Sequence, residues 1–66
     1  MKLKASQLRQ LSQGELESRL DDLKEELFNL RFQREVGQLE DVNRVRETKR
    51  NIARVLQVLR EKQLEA

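Results

Sequence analysis

Arg46, Arg50 and Arg54 recur every four residues, the spacing in this chain best suited to do chemistry. On a helix this spacing sets three guanidinium groups in one stripe. A guanidinium is a planar, permanently charged fork that grips phosphate oxygens two at a time. The chemistry on offer is therefore anion binding and not bond making. Between positions 44 and 54, Arg44, Arg46, Lys49, Arg50 and Arg54 face Glu47 as the only acid. A solvated surface helix would also account for a basic run. Two features favour a polyanion: Arg outnumbers Lys, and no acid stands four residues from any Arg of the stripe. Self-repulsion of this kind is tolerated where a polyanion neutralises it. Arg31 and Arg34 would extend the patch towards the end of a preceding helix.

Other chemistries find little to work with. The 66 residues contain no His, Cys, Tyr or Trp. That removes the commonest general acid–base residue, disulfides and any Cys–His zinc site. No catalytic residue, metal, cofactor or small-molecule substrate is expected. Charged residues make up 39% of the chain, yet 14 Lys and Arg nearly balance 12 Asp and Glu. Bulk charge therefore names no partner, and only its distribution does. No apolar run approaches the ~20 residues of a membrane span, and the start of the chain shows no signal-peptide pattern, so a membrane partner is not expected.

The elements that must position the Arg stripe are helices, since Pro is absent, Gly occurs twice and aromatics are 3%. Ser12-Gln13-Gly14-Glu15 reads as a capping box, with the Ser12 hydroxyl and the Glu15 carboxylate exchanging backbone N–H groups. From it Leu16, Leu20, Leu23, Leu27 and Leu30 follow in steps of four and three, the seam of a helix over about 12–36. Gly37 is its natural stop. Asp41 is the candidate N-cap of a second helix over about 42–63, with a stripe of Val45, Thr48, Ile52, Val55 or Leu56, and Leu59. Two matched helices joined through a turn at 37–41 predict an all-α fold, an antiparallel two-helix hairpin. Residues 1–11 form a short basic appendage in which Leu3, Leu8 and Leu11 suit one helical turn that docks. The whole chain, 1–66, is read as one hairpin unit. A single seam covers each apolar stripe on one side only, which predicts marginal stability alone.

Charge and aromatics break the symmetry of the first helix. Glu15, Glu17, Asp21, Asp22, Glu25 and Glu26 stand against Arg19 and Lys24, a stretch that a solvated face explains. With Leu23 at the origin, Phe28 falls at about 140°, Phe32 at about 180° and Val36 at about −140°, away from the Leu seam. A helical appendage leaving Ser12 reaches only ~15 Å, whereas Phe28 lies about 24 Å up the helix. Phe28, Phe32 and Val36 are therefore expected to contact another molecule.

Taken together, Leu27-Phe28-Asn29-Leu30-Arg31-Phe32-Gln33, then Gly37-Gln38-Leu39, then Arg44-Val45-Arg46 and Lys49-Arg50-Asn51-Ile52-Ala53-Arg54 resemble the bacterial large-subunit ribosomal protein twenty-nine family. Three blocks in register, in a chain of the right length, carry the resemblance. It implies an antiparallel helical hairpin that binds large-subunit rRNA beside the nascent-peptide exit. Large-subunit ribosomal protein twenty-three would be its neighbour there, where chaperones and targeting factors dock. By the same resemblance, Arg31, Gln33, Gly37 and Gln38 belong to a signature near the turn, and Lys49, Arg50 and Arg54 to the basic signature of the second helix. Glu35, Glu40 and Asp41 make the turn more acidic than in many relatives, and Glu47 interrupts the basic run.

The reading is a structural ribosomal protein with no catalytic role. Arg31, Gln33, Arg34, Gln38, Arg44, Arg46, Lys49, Arg50 and Arg54 are its candidate rRNA contacts, mostly to backbone and shape because side chains cannot read the narrow A-form major groove. Its place would be the cytoplasmic ribosome, or an organelle with bacterial-type ribosomes. The alternative is a coiled-coil protein–protein adaptor, in which the Leu seam pairs two chains. The turn signal at Gly37–Asp41 argues against that single long helix.

Overall fold

Ser12 holds an extended backbone (φ −70°, ψ 164°) and opens the first long helix through a complete capping box. Its hydroxyl accepts the Glu15 N–H at 3.1 Å, and the Glu15 carboxylate accepts the Ser12 N–H at 3.3 Å. In this computed structural model, which describes residues 4–38 and 41–65, three helices follow in order: α1 (Ala5–Leu8), α2 (Gln13–Glu35) and α3 (Asn43–Glu65). Neither strands nor cis peptide bonds occur among the described residues.

α2 ends where its chemistry requires. Gly37 adopts φ 73°, the left-handed region that only glycine enters freely. With Val36 as C-cap, the Gly37 N–H donates to the Arg34 carbonyl at 3.2 Å. The Gln38 N–H donates to the Gln33 carbonyl at 2.8 Å, completing a Schellman closure that satisfies the last carbonyls. At the other side of the turn, the Asp41 carboxylate accepts the Asn43 N–H at 2.9 Å, and the Asp41 carbonyl accepts from Arg44. Asp41 thus caps α3 as its residue type suggests. Leu39 and Glu40, like Met1–Leu3, lie outside the described residues.

The two long helices pack antiparallel. Leu16, Leu20 and Leu23 from the first half of α2 share a core with Val55, Val58 and Leu59 from the second half of α3. Nearer the turn, Arg44 of α3 reaches Glu26 of α2. Leu30 and Val45 are buried as well, Leu27 half so. The result is a rod of 44 × 17 × 14 Å, two helices side by side.

α1 supplies the third wall. Leu8 is 2% exposed and belongs to the same core, with Leu11 packed at its edge. The Arg9 guanidinium pairs with both oxygens of Glu61 at 3.1 and 3.3 Å, and Lys62 donates to the Arg9 carbonyl. This docking rotates the buried face of α3. The stripe expected around Ile52 is instead Val45, Thr48, Asn51, Val55, Val58 and Leu59, turned by about 50°. Ile52 is half-buried and Leu56 is 47% exposed, so Val55 and not Leu56 takes the seam. Val58 shares the core with Leu8 on that side of α3, whereas Asn51, two turns nearer the start of α3, is buried beside a groove lined by Arg19 and Leu23.

Candidate nucleic-acid interface

α3 is strongly one-sided, and its cations follow from that. Measured from the centre of its buried set, Arg46 lies about 170° away and Arg50 about 150°. Lys49 and Arg54 sit at about 110° on opposite flanks. A groove along the outer face of α3 is lined by Asn43, Arg46, Glu47, Arg50, Asn51 and Arg54. The Arg46–Arg50–Arg54 stripe therefore forms one wall-to-wall surface, with Glu47 inside it. Glu47, Asn51 and Arg54 also make contacts within the chain.

A second groove adjoins the first through Arg46. It is lined by Arg34, Val42, Val45, Arg46 and Lys49, so the end of α2 and the first half of α3 contribute to one basic surface. The Gly37 turn is what brings Arg34 there: it reverses the chain within a few residues and lays α3 back along α2. Arg34, Arg46, Lys49, Arg50 and Arg54 thus form a continuous cationic face. Apart from half-buried Arg54, all are exposed.

The remaining candidates are placed differently. Gln33 and Gln38 are joined through their backbones by the Schellman closure, and their side chains are exposed. Arg31 is exposed on α2 but lines neither groove. Arg44 falls on the core-facing side of α3 and donates to the Glu26 carboxylate at 3.2 Å. An exposed pair of this kind contributes little to stability and exchanges readily with other anions. Charge counting along the sequence groups Arg44 with the stripe; its angular position separates it. Arg19 was not singled out by the sequence, yet it lines a groove between α2 and α3 with Glu26, Arg44 and Thr48. Its position at the edge of the Leu seam, about −40° from Leu23, is the signal that could have found it.

Phe28 and Phe32 are 70% and 58% exposed, and Val36 is exposed beside them. α1 packs on the far end of the hairpin and leaves this strip uncovered. No group of His, Cys, Asp and Glu among the described residues is arranged to hold a metal ion. No helix among them is long and apolar enough to cross a membrane.

A cationic face on a capped two-helix hairpin suits a polyanion without naming a family, and comparison of the whole chain is what decides it. The family described as ribosomal L29 protein matches residues 6–62. The chain belongs to that family. Its relatives include the large ribosomal subunit protein uL29 of Rubrobacter xylanophilus, 55% identical over 97% of this chain and 96% of its own length. That of Natranaerobius thermophilus is 50% identical over 94% and 95%, and that of Cutibacterium acnes 56% identical over 96% and 82%. The family is structural and non-enzymatic. Its match spans α2, the turn and nearly all of α3, the elements that build the cationic face.

Proposed function

We infer that this chain holds large-subunit rRNA through the outer face of α3. Family membership makes it a structural constituent of the large ribosomal subunit, in the cytoplasmic ribosome. The observation that carries the finer reading is the continuity of Arg34, Arg46, Lys49, Arg50 and Arg54 across two adjoining grooves. Each guanidinium or ammonium that neutralises a phosphate releases counterions, and the hairpin core fixes the spacing at which they do so. Binding to the folded chain alone also stabilises it, which suits a core of this size.

Arg31, Gln33 and Gln38 would touch rRNA from the turn, and Arg44 would do so only after leaving Glu26. Phe28, Phe32 and Val36 would meet another component of the subunit. Large-subunit ribosomal protein twenty-three as neighbour, a seat beside the nascent-peptide exit, and nearby docking of chaperones or targeting factors complete the proposal. Co-sedimentation with large subunits through a high-salt cushion tests it. The chain should remain bound, and a variant with Arg46, Arg50 and Arg54 all changed to Gln should be lost. Retention of that variant would remove the α3 face from the account. A tight RNA-free dimer in sedimentation would instead favour the coiled-coil adaptor.

A further inference from the structure

We propose that the outer face of α2 is a protein-docking strip, whose occupant is an apolar groove rimmed by Lys and Arg. The proposal deepens the partner contact inferred above for Phe28, Phe32 and Val36 and rests on that reading.

The strip is unusual in where it lies. α2 carries apolar residues on two opposite faces, so its hydrophobicity has almost no net direction, whereas that of α3 points firmly into the core. The Leu seam is spent on α3 and α1. Among the described residues the second apolar face has no partner: α1 engages the other end, and Phe28 and Phe32 stay exposed. Spaced at i, i+4 and i+8, Phe28, Phe32 and Val36 form a ridge about 12 Å long, the form in which a helix enters a groove.

Charge then chooses the occupant. Within about 60° of Phe32 on either side, α2 presents Glu17, Asp21, Glu25 and Glu35 and no Lys or Arg. All of these carboxylates are exposed. A phosphate backbone laid on the ridge would meet Glu25 and Glu35 beside it, while the nearest cations of α2, Lys24 and Arg31, lie about 80° and 100° round the helix from Phe32. A protein groove with an apolar floor and a basic rim matches both features at once. The ridge is much smaller than the ~800 Å² per side of a stable interface, so the contact depends on rRNA holding both partners in place. The outer face of α3, with Arg34 from the end of α2, therefore faces nucleic acid, while the Phe28–Val36 strip faces protein.

The test uses assembled large subunits. A photoreactive benzoylphenylalanine is introduced singly in place of Phe28, Phe32 or Val42, and incorporation is scored by sedimentation. From Phe28 and Phe32 the expected adduct is to a protein, at an apolar peptide flanked by Lys or Arg. Adding Asp21→Lys and Glu25→Lys should cut that yield about tenfold or more, because like charges now meet across the rim. From Val42, which lines the basic groove, the expected adduct is to RNA. RNA adducts from the Phe positions, or none in subunits that contain the chain, would overturn the proposal. A yield unmoved by charge reversal would overturn the basic rim. Loss of the RNA adduct at Val42 alone would instead count against the α3 reading and leave the strip standing. If the Phe32 replacement fails to enter subunits, the Phe28 position carries the assay.

Discussion

The outer faces of α2 and α3 are built on helices of equal length, 23 residues each, yet they solve opposite problems. α3 turns apolar residues inward and lines its outer surface with Arg46, Arg50 and Arg54. α2 turns Leu16, Leu20, Leu23 and Leu30 inward and then repeats an apolar ridge on its back, flanked by acids. Secondary structure is the same in both, so it is the content of the unpartnered face that separates them. A cationic outer face is soluble by itself and gains from a polyanion. An aromatic outer face costs solubility and is retained only where something covers it.

That contrast can be broken by moving the same chemistry between faces. Leu16 is fully buried, so Leu16→Ala should destabilise the free chain by about 2–5 kcal/mol. In a hairpin whose core supplies only about 3–5 kcal/mol, this leaves a largely unfolded chain by circular dichroism. Phe32→Ala removes a larger side chain but from the outer face, and should change the melting of the free chain by less than about 0.5 kcal/mol. Incorporation into subunits should fall instead. A Phe32→Ala loss of several kcal/mol in the free chain would move Phe32 into the core and erase the contrast.

Smaller effects sharpen it. Ser12→Ala deletes the hydroxyl half of the capping box and should cost about 1 kcal/mol, read as a lower melting temperature. Gly37→Ala should cost a similar ~1 kcal/mol. A Cβ there meets no atom within 4 Å, so the left-handed backbone alone is responsible. Either change leaves the cations of α3 in place, and the salt dependence of RNA binding should stay as it was.

The smallest effect concerns the α1 strap. The hydrogen bond from Arg9 holds the Glu61 carboxyl below the usual carboxylate range, and Glu61 in turn raises Arg9. A depressed folded value means that the contribution of this pair is present above the unfolded pKa of about 4.3 and lost as pH falls through the folded value. Both groups are exposed, so added salt should flatten the dependence. Once the intrinsic slowing of amide exchange in acid is divided out, the protection of α1 amides should fall as the pH is lowered through that window, and Glu61→Gln should remove the change.

The hairpin was legible because its signals are local. Ser12 and Glu15 stand three apart, Gly37 marks a left-handed residue, Asp41 caps α3, and the Leu steps read one helix at a time. What was not legible depends on a contact between distant parts. The rotation of the α3 core towards Asn51 and Val58 depends on packing against residues far away in sequence, Leu8 near Val58 and Arg19 and Leu23 near Asn51, and no periodicity within α3 reports it. The same rotation sets Arg44 on the core-facing side, where Glu26 takes it. At the candidate interface, the Arg46–Arg50–Arg54 stripe was readable from spacing. Arg34 joins it and Arg31 does not, which follows from the α2 wheel once α3 is known to pack on the Leu seam: Arg34 falls about 20° from Leu23, and Arg31 about 80°.

The central claim is that the outer face of α3 is the electrostatic hold on rRNA. It is tested most directly by the slope of log affinity against log salt for rRNA fragments, with Arg50→Ala beside the unaltered chain. About four to five phosphate contacts should give a slope of about −3 to −4.5. Arg50→Ala should make it shallower by about 0.7–0.9 and weaken binding to different fragments nearly uniformly, with helix content undiminished. An unchanged slope and affinity for Arg50→Ala, with binding abolished by Arg31→Ala, would place the hold at the turn and contradict the account.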